Sequence, residues 1–123
     1  MVTVLVVGIG GAIGAIMRWW TGILFNSVGL ASYLSTLSVN FIGSFLIGLV
    51  FITLQNKYPS GELIHSGIMI GLLGGFTTYS AFSLEVVNMI ASGLLGRALM
   101  YIFITLICCL AAAFVGTTVG RAL

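Results

Sequence analysis

Four stretches of this chain are long and apolar enough to cross a lipid bilayer, and the joints between them are too short to hold a domain. A helix needs roughly 20 mainly apolar residues to traverse the hydrocarbon core. Such stretches run from about Val2 to Phe25, Tyr33 to Leu54, Leu63 to Ala91 and Arg97 to Val119. The joints are Asn26 to Ser32, Gln55 to Glu62 (which holds Pro59, the sole proline) and Ser92 to Gly96, all built from turn-forming residues. Charge agrees with this division. Four basic and two acidic side chains serve 123 residues, whereas a soluble domain carries about a quarter of its residues charged. The chain therefore reads as an all-α integral membrane protein, a single four-helix transmembrane domain over residues 1–123.

The apolar start lacks a basic leading region, and Arg18-Trp19-Trp20 stands where a cleavage site would need small residues. It reads as a span and not a leader. Cys108 and Cys109, adjacent in the fourth span, cannot form an ordinary bridge with each other and read as small packing residues.

With four spans, the N-terminus, the second joint and the C-terminus share one side of the membrane. Lys57 and Arg121 fall on that side and Arg18 and Arg97 on the other, two against two. Because Lys/Arg bias sets orientation, this balance predicts dual topology, with inverted copies pairing as antiparallel homodimers around a two-fold axis in the membrane plane. A weak bias rescued by another determinant is the alternative. Two GxxxG pairs, Gly10 with Gly14 and Gly67 with Gly71, permit close helix approach. They suit subunit pairing and packing within one subunit equally.

Several polar groups fall at membrane depth. Thr36, Asn40 and Ser44 are spaced by four and share one helical face. The Asn40 amide is costly to bury unpaired, so it faces protein or water, either as helix–helix glue or as a donor to a passing anion. In the third span, Gly74-Gly75 is followed by the β-branched pair Thr77-Thr78, poor helix material in a segment too long for one simple crossing. A broken helix is expected there. Non-helical backbone at this depth survives only against protein or a water-filled cavity. Its freed carbonyls suit a cation, and the N-terminus of the following half-helix suits an anion.

Beyond the break, Tyr79 and Phe82 share a face, with Ser80 and Ser83 on the adjoining one. Ring edges are electropositive and can touch an anion without a full charge; core packing is the plainer reading. Glu85 is the acidic group at membrane depth, suited to pairing with a basic side chain, to orienting hydroxyls or to an interface position. Arg18, beside Trp19 and Trp20, reads either as an interfacial anchor or as part of an anion-attracting vestibule. His65 has no partners at metal-ligand spacing, and no paired carboxylates or nucleophile triad can be assembled. Four basic residues make no nucleic-acid surface. The chain is not expected to be an enzyme.

Taken in order and spacing, Gly10-Gly11-Ala12-Ile13-Gly14-Ala15-Ile16-Met17-Arg18-Trp19, Val39-Asn40-Phe41-Ile42-Gly43-Ser44 and Gly74-Gly75-Phe76-Thr77-Thr78-Tyr79-Ser80-Ala81-Phe82-Ser83-Leu84-Glu85 resemble the Fluc (CrcB-like) fluoride channels of microbes over essentially the whole chain. The resemblance implies a dual-topology antiparallel dimer with two pores in a prokaryotic inner or plasma membrane, through which fluoride leaves the cytoplasm passively. It implies a structural Na+ at the dimer centre, held by the backbone carbonyls of Gly74 and Thr77. It also implies that Asn40 is the pore-lining donor, Tyr79 and Phe82 the paired aromatics, Ser80 and Ser83 nearby hydroxyls, and Arg18 the vestibule's basic residue. Two departures stand out. Tyr79 replaces the usual phenylalanine, and Cys109 and Ala113 replace a serine and a threonine on the fourth span, one turn and two turns after Thr105. The competing readings are a small dual-topology multidrug exporter, disfavoured by the absence of an acid in the first span, and a non-transporting membrane scaffold.

Overall fold

The computed structural model describes residues 1–123, and all its regular structure is helical. Helix α1 spans Val2–Ser27, α2 Ser32–Lys57 and α6 Leu95–Ala122. The third span, Glu62–Ala91, is assembled from pieces. These are α3 (Glu62–His65), a π-helical stretch (Ser66–Leu73), α4 (Gly74–Phe76) and, after two extended residues, α5 (Tyr79–Ala91). At 1.5 Å per residue, the 26 residues of α1 or α2 reach about 39 Å, beyond the ~30 Å of hydrocarbon. The helices outrun their apolar cores because polar residues such as Asn26, Gln55 and Asn56 continue the winding into the interface.

Two of the joints use the same device. Gly29 and Gly93 take positive φ, at 75° and 76°. Leu30 N–H donates back to Phe25 O, and Leu94 N–H to Met89 O. A left-handed residue after the last turn lets the chain fold back on its own carbonyls, a conformation that glycine adopts without steric cost.

Glycine also sets the helix seams. A Cβ placed on Gly14 would strike the carbonyl oxygen of Leu72, one on Gly71 would lie 2.8 Å from Val7 O, and one on Gly75 would lie 2.5 Å from Gly11 O. Helix α1 thus runs backbone to backbone against the first half of span three. Both GxxxG pairs are used here, within one subunit. A second seam joins α2 to α6, where Gly48 faces the carbonyl of Ala113 and Gly116 faces that of Phe45. Dispersion and close backbone approach hold such seams in lipid, where no hydrophobic effect operates between helices.

The π-helical stretch has no signature in the sequence. Its wider winding shifts the register of backbone hydrogen bonds along the face that carries Gly67 and Gly71. Gly74 and Gly75 remain helical, so the glycine pair does not itself break the helix. Gly75 makes the close approach to α1, against Gly11. Outwardly the molecule stays apolar, with only 18 of 123 residues buried; the remaining surface is matched to lipid or to another membrane-embedded subunit.

Candidate functional site

The break lies at Thr77 and Thr78, whose backbones are extended (φ −82°, ψ 160° and φ −152°, ψ 119°). β-Branched residues favour this region, which explains why the helix opens here and not at the preceding glycines. The Thr77 methyl packs where any side chain on Gly43 would stand, so α2 is notched to receive it.

Side chains satisfy the opened backbone, mostly from other spans. Asn40 on α2 closes a two-point clamp: its Nδ2 donates to Thr78 O at 2.9 Å, and its Oδ1 accepts from Thr78 N–H at 2.7 Å. Thr78 in turn caps α5, its Oγ1 accepting from Ala81 N–H at 3.2 Å. These two contacts have a consequence for the carbonyls. In an unbroken helix Thr78 N–H would bond to Gly74 O and Ala81 N–H to Thr77 O. Both donors are diverted, which leaves Gly74 O and Thr77 O without a backbone partner. Arg18 reaches across from α1, and its guanidinium donates to Thr77 O at 3.3 Å. Its position is thus tied to the break, while Trp19 and Trp20 beside it are 63% and 68% exposed and available to the membrane interface.

A groove of about 550 Å³ runs along the break between α2 and α6. Asn40, Gly43 and Ser44 line it from α2, Thr77 to Tyr79 and Phe82 from span three, and Thr105, Cys109 and Ala113 from α6, with apolar residues filling the rest of the wall. Asn40, Tyr79 and Phe82 therefore meet at one place. Ser80 and Ser83 are absent from that wall: Ser80 Oγ lies 3.2 Å from Thr78 Oγ1, and Ser83 Oγ donates to the Tyr79 carbonyl. The Tyr79 and Phe82 rings stand 5.6 Å apart at 48°. Tyr79 is 80% exposed, an unusual setting for a phenol deep in a span.

Two parts of the site were not read from the sequence in full. Glu85 pairs with no basic side chain. Its Oε1 accepts from Thr36 Oγ1 and its Oε2 from Tyr101 O–H, each at 2.8 Å, and both donors are at least nine-tenths buried. This is the hydroxyl-orienting arrangement among the possibilities raised for Glu85. Tyr101 also extends the aromatic pair: Phe82 lies 5.2 Å and Tyr33 5.3 Å from its ring, giving a continuous file Tyr79, Phe82, Tyr101, Tyr33. Tyr33 and Tyr101 are 68 residues apart in sequence, and neither belongs to a local motif that announces the file. Among buried side-chain polar atoms, Thr105 Oγ1, on a residue that lines the groove, lacks a partner.

The carbonyls of Gly74 and Thr77 have the chemistry a hard monovalent cation takes, since carbonyl oxygen is the ligand such ions accept in place of water. They are free of backbone donors, so the fit is chemically sound. Arg18 occupies one of the two lone pairs of Thr77 O, and one chain supplies too few oxygens to surround an ion.

Fold and site together define a multi-pass membrane protein of the ion-channel class, with its polar chemistry gathered around a helix break. The chain belongs to the family described as CrcB-like protein, Camphor Resistance (CrcB), whose pattern it matches over residues 5–117. Curated relatives are named fluoride-specific ion channel FluC. The relative from Thermus thermophilus is 42% identical, with 97% of this chain and 95% of the relative aligned. That from Magnetococcus marinus is 40% identical over 94% of each chain, and that from Agrobacterium fabrum 36% identical over 98% of each. This is not an enzyme family. The exporter and scaffold readings find no support among these relatives.

Proposed function

We propose that this chain is the subunit of a fluoride-selective channel that lets fluoride leave the cytoplasm passively, and that it works as an antiparallel dual-topology homodimer with two pores in a prokaryotic inner or plasma membrane. The observation that carries this reading is the helix break at membrane depth, flanked by a donor-lined groove, in a chain whose relatives bear the name of fluoride channels. Fluoride is small and strongly hydrated, so a selective path must replace its water with hydrogen-bond donors. Asn40 spends one Nδ2 hydrogen on Thr78 O and keeps a second for the groove. Tyr79 and Phe82 offer electropositive ring edges, Ser80 and Ser83 place hydroxyls near the break outside the groove wall, and Arg18 draws anions toward it. None of these except Arg18 brings a full charge, so an anion is welcomed without being trapped.

The dimer supplies what one chain lacks. A phenol 80% exposed at Tyr79 calls for a covering surface, and an inverted copy would provide one. Na+ would sit on the two-fold axis, held by the carbonyls of Gly74 and Thr77 from both copies, and would offset part of the cost of bringing an anion into a low-dielectric interior. Purified protein in liposomes loaded with fluoride tests the core of the proposal. Rapid efflux is expected when a potassium ionophore balances charge, with chloride-loaded vesicles silent; vesicles that retain fluoride under these conditions overturn it.

A further inference from the structure

The two adjacent cysteines of α6 point into different environments. Cys109 lines the main groove beside the break, with Ser44 of α2 on the same wall. Cys108 lines a separate, smaller cleft with Leu37, Ser38 and Phe41. Both thiols are free and half-buried. One helical turn before Cys109, on the same face, stands Thr105, 8% exposed and also lining the groove, with its hydroxyl lacking any hydrogen-bond partner. A buried hydroxyl left without a partner is uncommon in folded proteins and asks for a ligand. The groove thus pairs a soft sulfur ligand with an unused hard donor at a spacing of one turn.

We infer that Cys109 and Thr105 form a binding site for neutral, linear halide complexes of a soft divalent metal, of which mercuric chloride is the simplest, and that occupancy plugs the groove. Thiol sulfur selects soft metals, and metal binding displaces the thiol proton. The step balances without any change of oxidation state. A bond forms between Cys109 Sγ and mercury, one Hg–Cl bond breaks, chloride leaves with the bonding pair, and the thiol proton passes to solvent. The chloride that stays on mercury is an acceptor for the Thr105 hydroxyl. A neutral complex crosses the apolar wall of the groove without the desolvation penalty that a charged thiol reagent meets.

The attachment half of this inference is independent of the proposed channel function, and the plugging half rests on it. Mercuric chloride is added to the reconstituted full-length protein and to its C108A, C109A and T105V variants. Attached mercury is read by intact mass, and fluoride efflux is compared with each variant's own rate before treatment. Mercury is expected on C108A with loss of its efflux, reversed by excess dithiothreitol. C109A should keep its pretreatment rate, and T105V should need a severalfold higher reagent concentration for half block. Attachment confined to Cys108, or attachment at Cys109 with efflux unimpeded, overturns the inference. A protein that passes no fluoride before treatment fails the functional proposal alone, because the mass measurement still decides whether Cys109 is the site.

Discussion

Asn40 holds the break open through one amide and, on the proposed function, also serves the permeant ion. Sequence spacing placed it on the polar face of α2 and left glue and donor open; its partner on the main chain of Thr78 lies 38 residues away and no local pattern reveals it. The N40D substitution separates the two duties. An aspartate can still accept from Thr78 N–H, but it cannot donate to Thr78 O and it carries a negative charge beside the groove. Leaving that carbonyl unpaired costs about 1–3 kcal/mol, and the charge repels the permeant anion. Fluoride efflux should fall by more than about tenfold, equivalent to about 1.4 kcal/mol, in liposome assays; undiminished efflux would show that the amide only holds the break. Glu85 makes a different residue-level prediction. Hydrogen bonds to a charged group contribute about 1.5–3 kcal/mol each, and E85Q exchanges one of the two acceptors for an amide NH₂ that cannot receive a hydroxyl proton. Thermal unfolding in detergent should shift downward, while Y101F, which removes a single bond and keeps the ring file, should shift less.

At the scale of elements, the spans and their order were legible in the sequence because a bilayer demands about 20 apolar residues per crossing and the joints carry turn-forming residues. The break was legible too, from Thr77-Thr78 beside two glycines. What local reading missed was the division of labour between those residues. Gly74 and Gly75 stay wound, with Gly75 serving the seam with α1, while the threonines open the backbone. The π-helical winding of Ser66–Leu73 was also invisible, since no local pattern in the segment marks it. This seam yields a mutational contrast. G14A drives a methyl into Leu72 O and to 2.7 Å from Phe76 N, whereas G8A meets nothing within 4 Å. Overpacking of this kind costs about 1–3 kcal/mol. Melting of the purified protein should show G14A clearly destabilised and G8A unchanged or slightly stabilised, as alanine is the better helix former.

For the whole molecule, the balanced charges are the feature that sequence reads best and a single chain displays least. Orientation follows from Lys/Arg asymmetry, which here is two against two. On the two-orientation proposal, adding lysines to one joint (N26K with S27K) should lock the chain one way round, and adding them to the next (Q55K with N56K) should lock it the other way. Each variant alone should lose fluoride efflux and the two expressed together should regain it; full activity of either alone would mean that inverted pairing is unnecessary. The break carries one more consequence, for how the molecule is made. Its opened backbone is met at Thr77 and Thr78 by Arg18 and Asn40, and both are translated before Thr77 and Thr78 leave the ribosome. Synthesis from N to C therefore makes the companions of these backbone groups before the unwound segment that needs them.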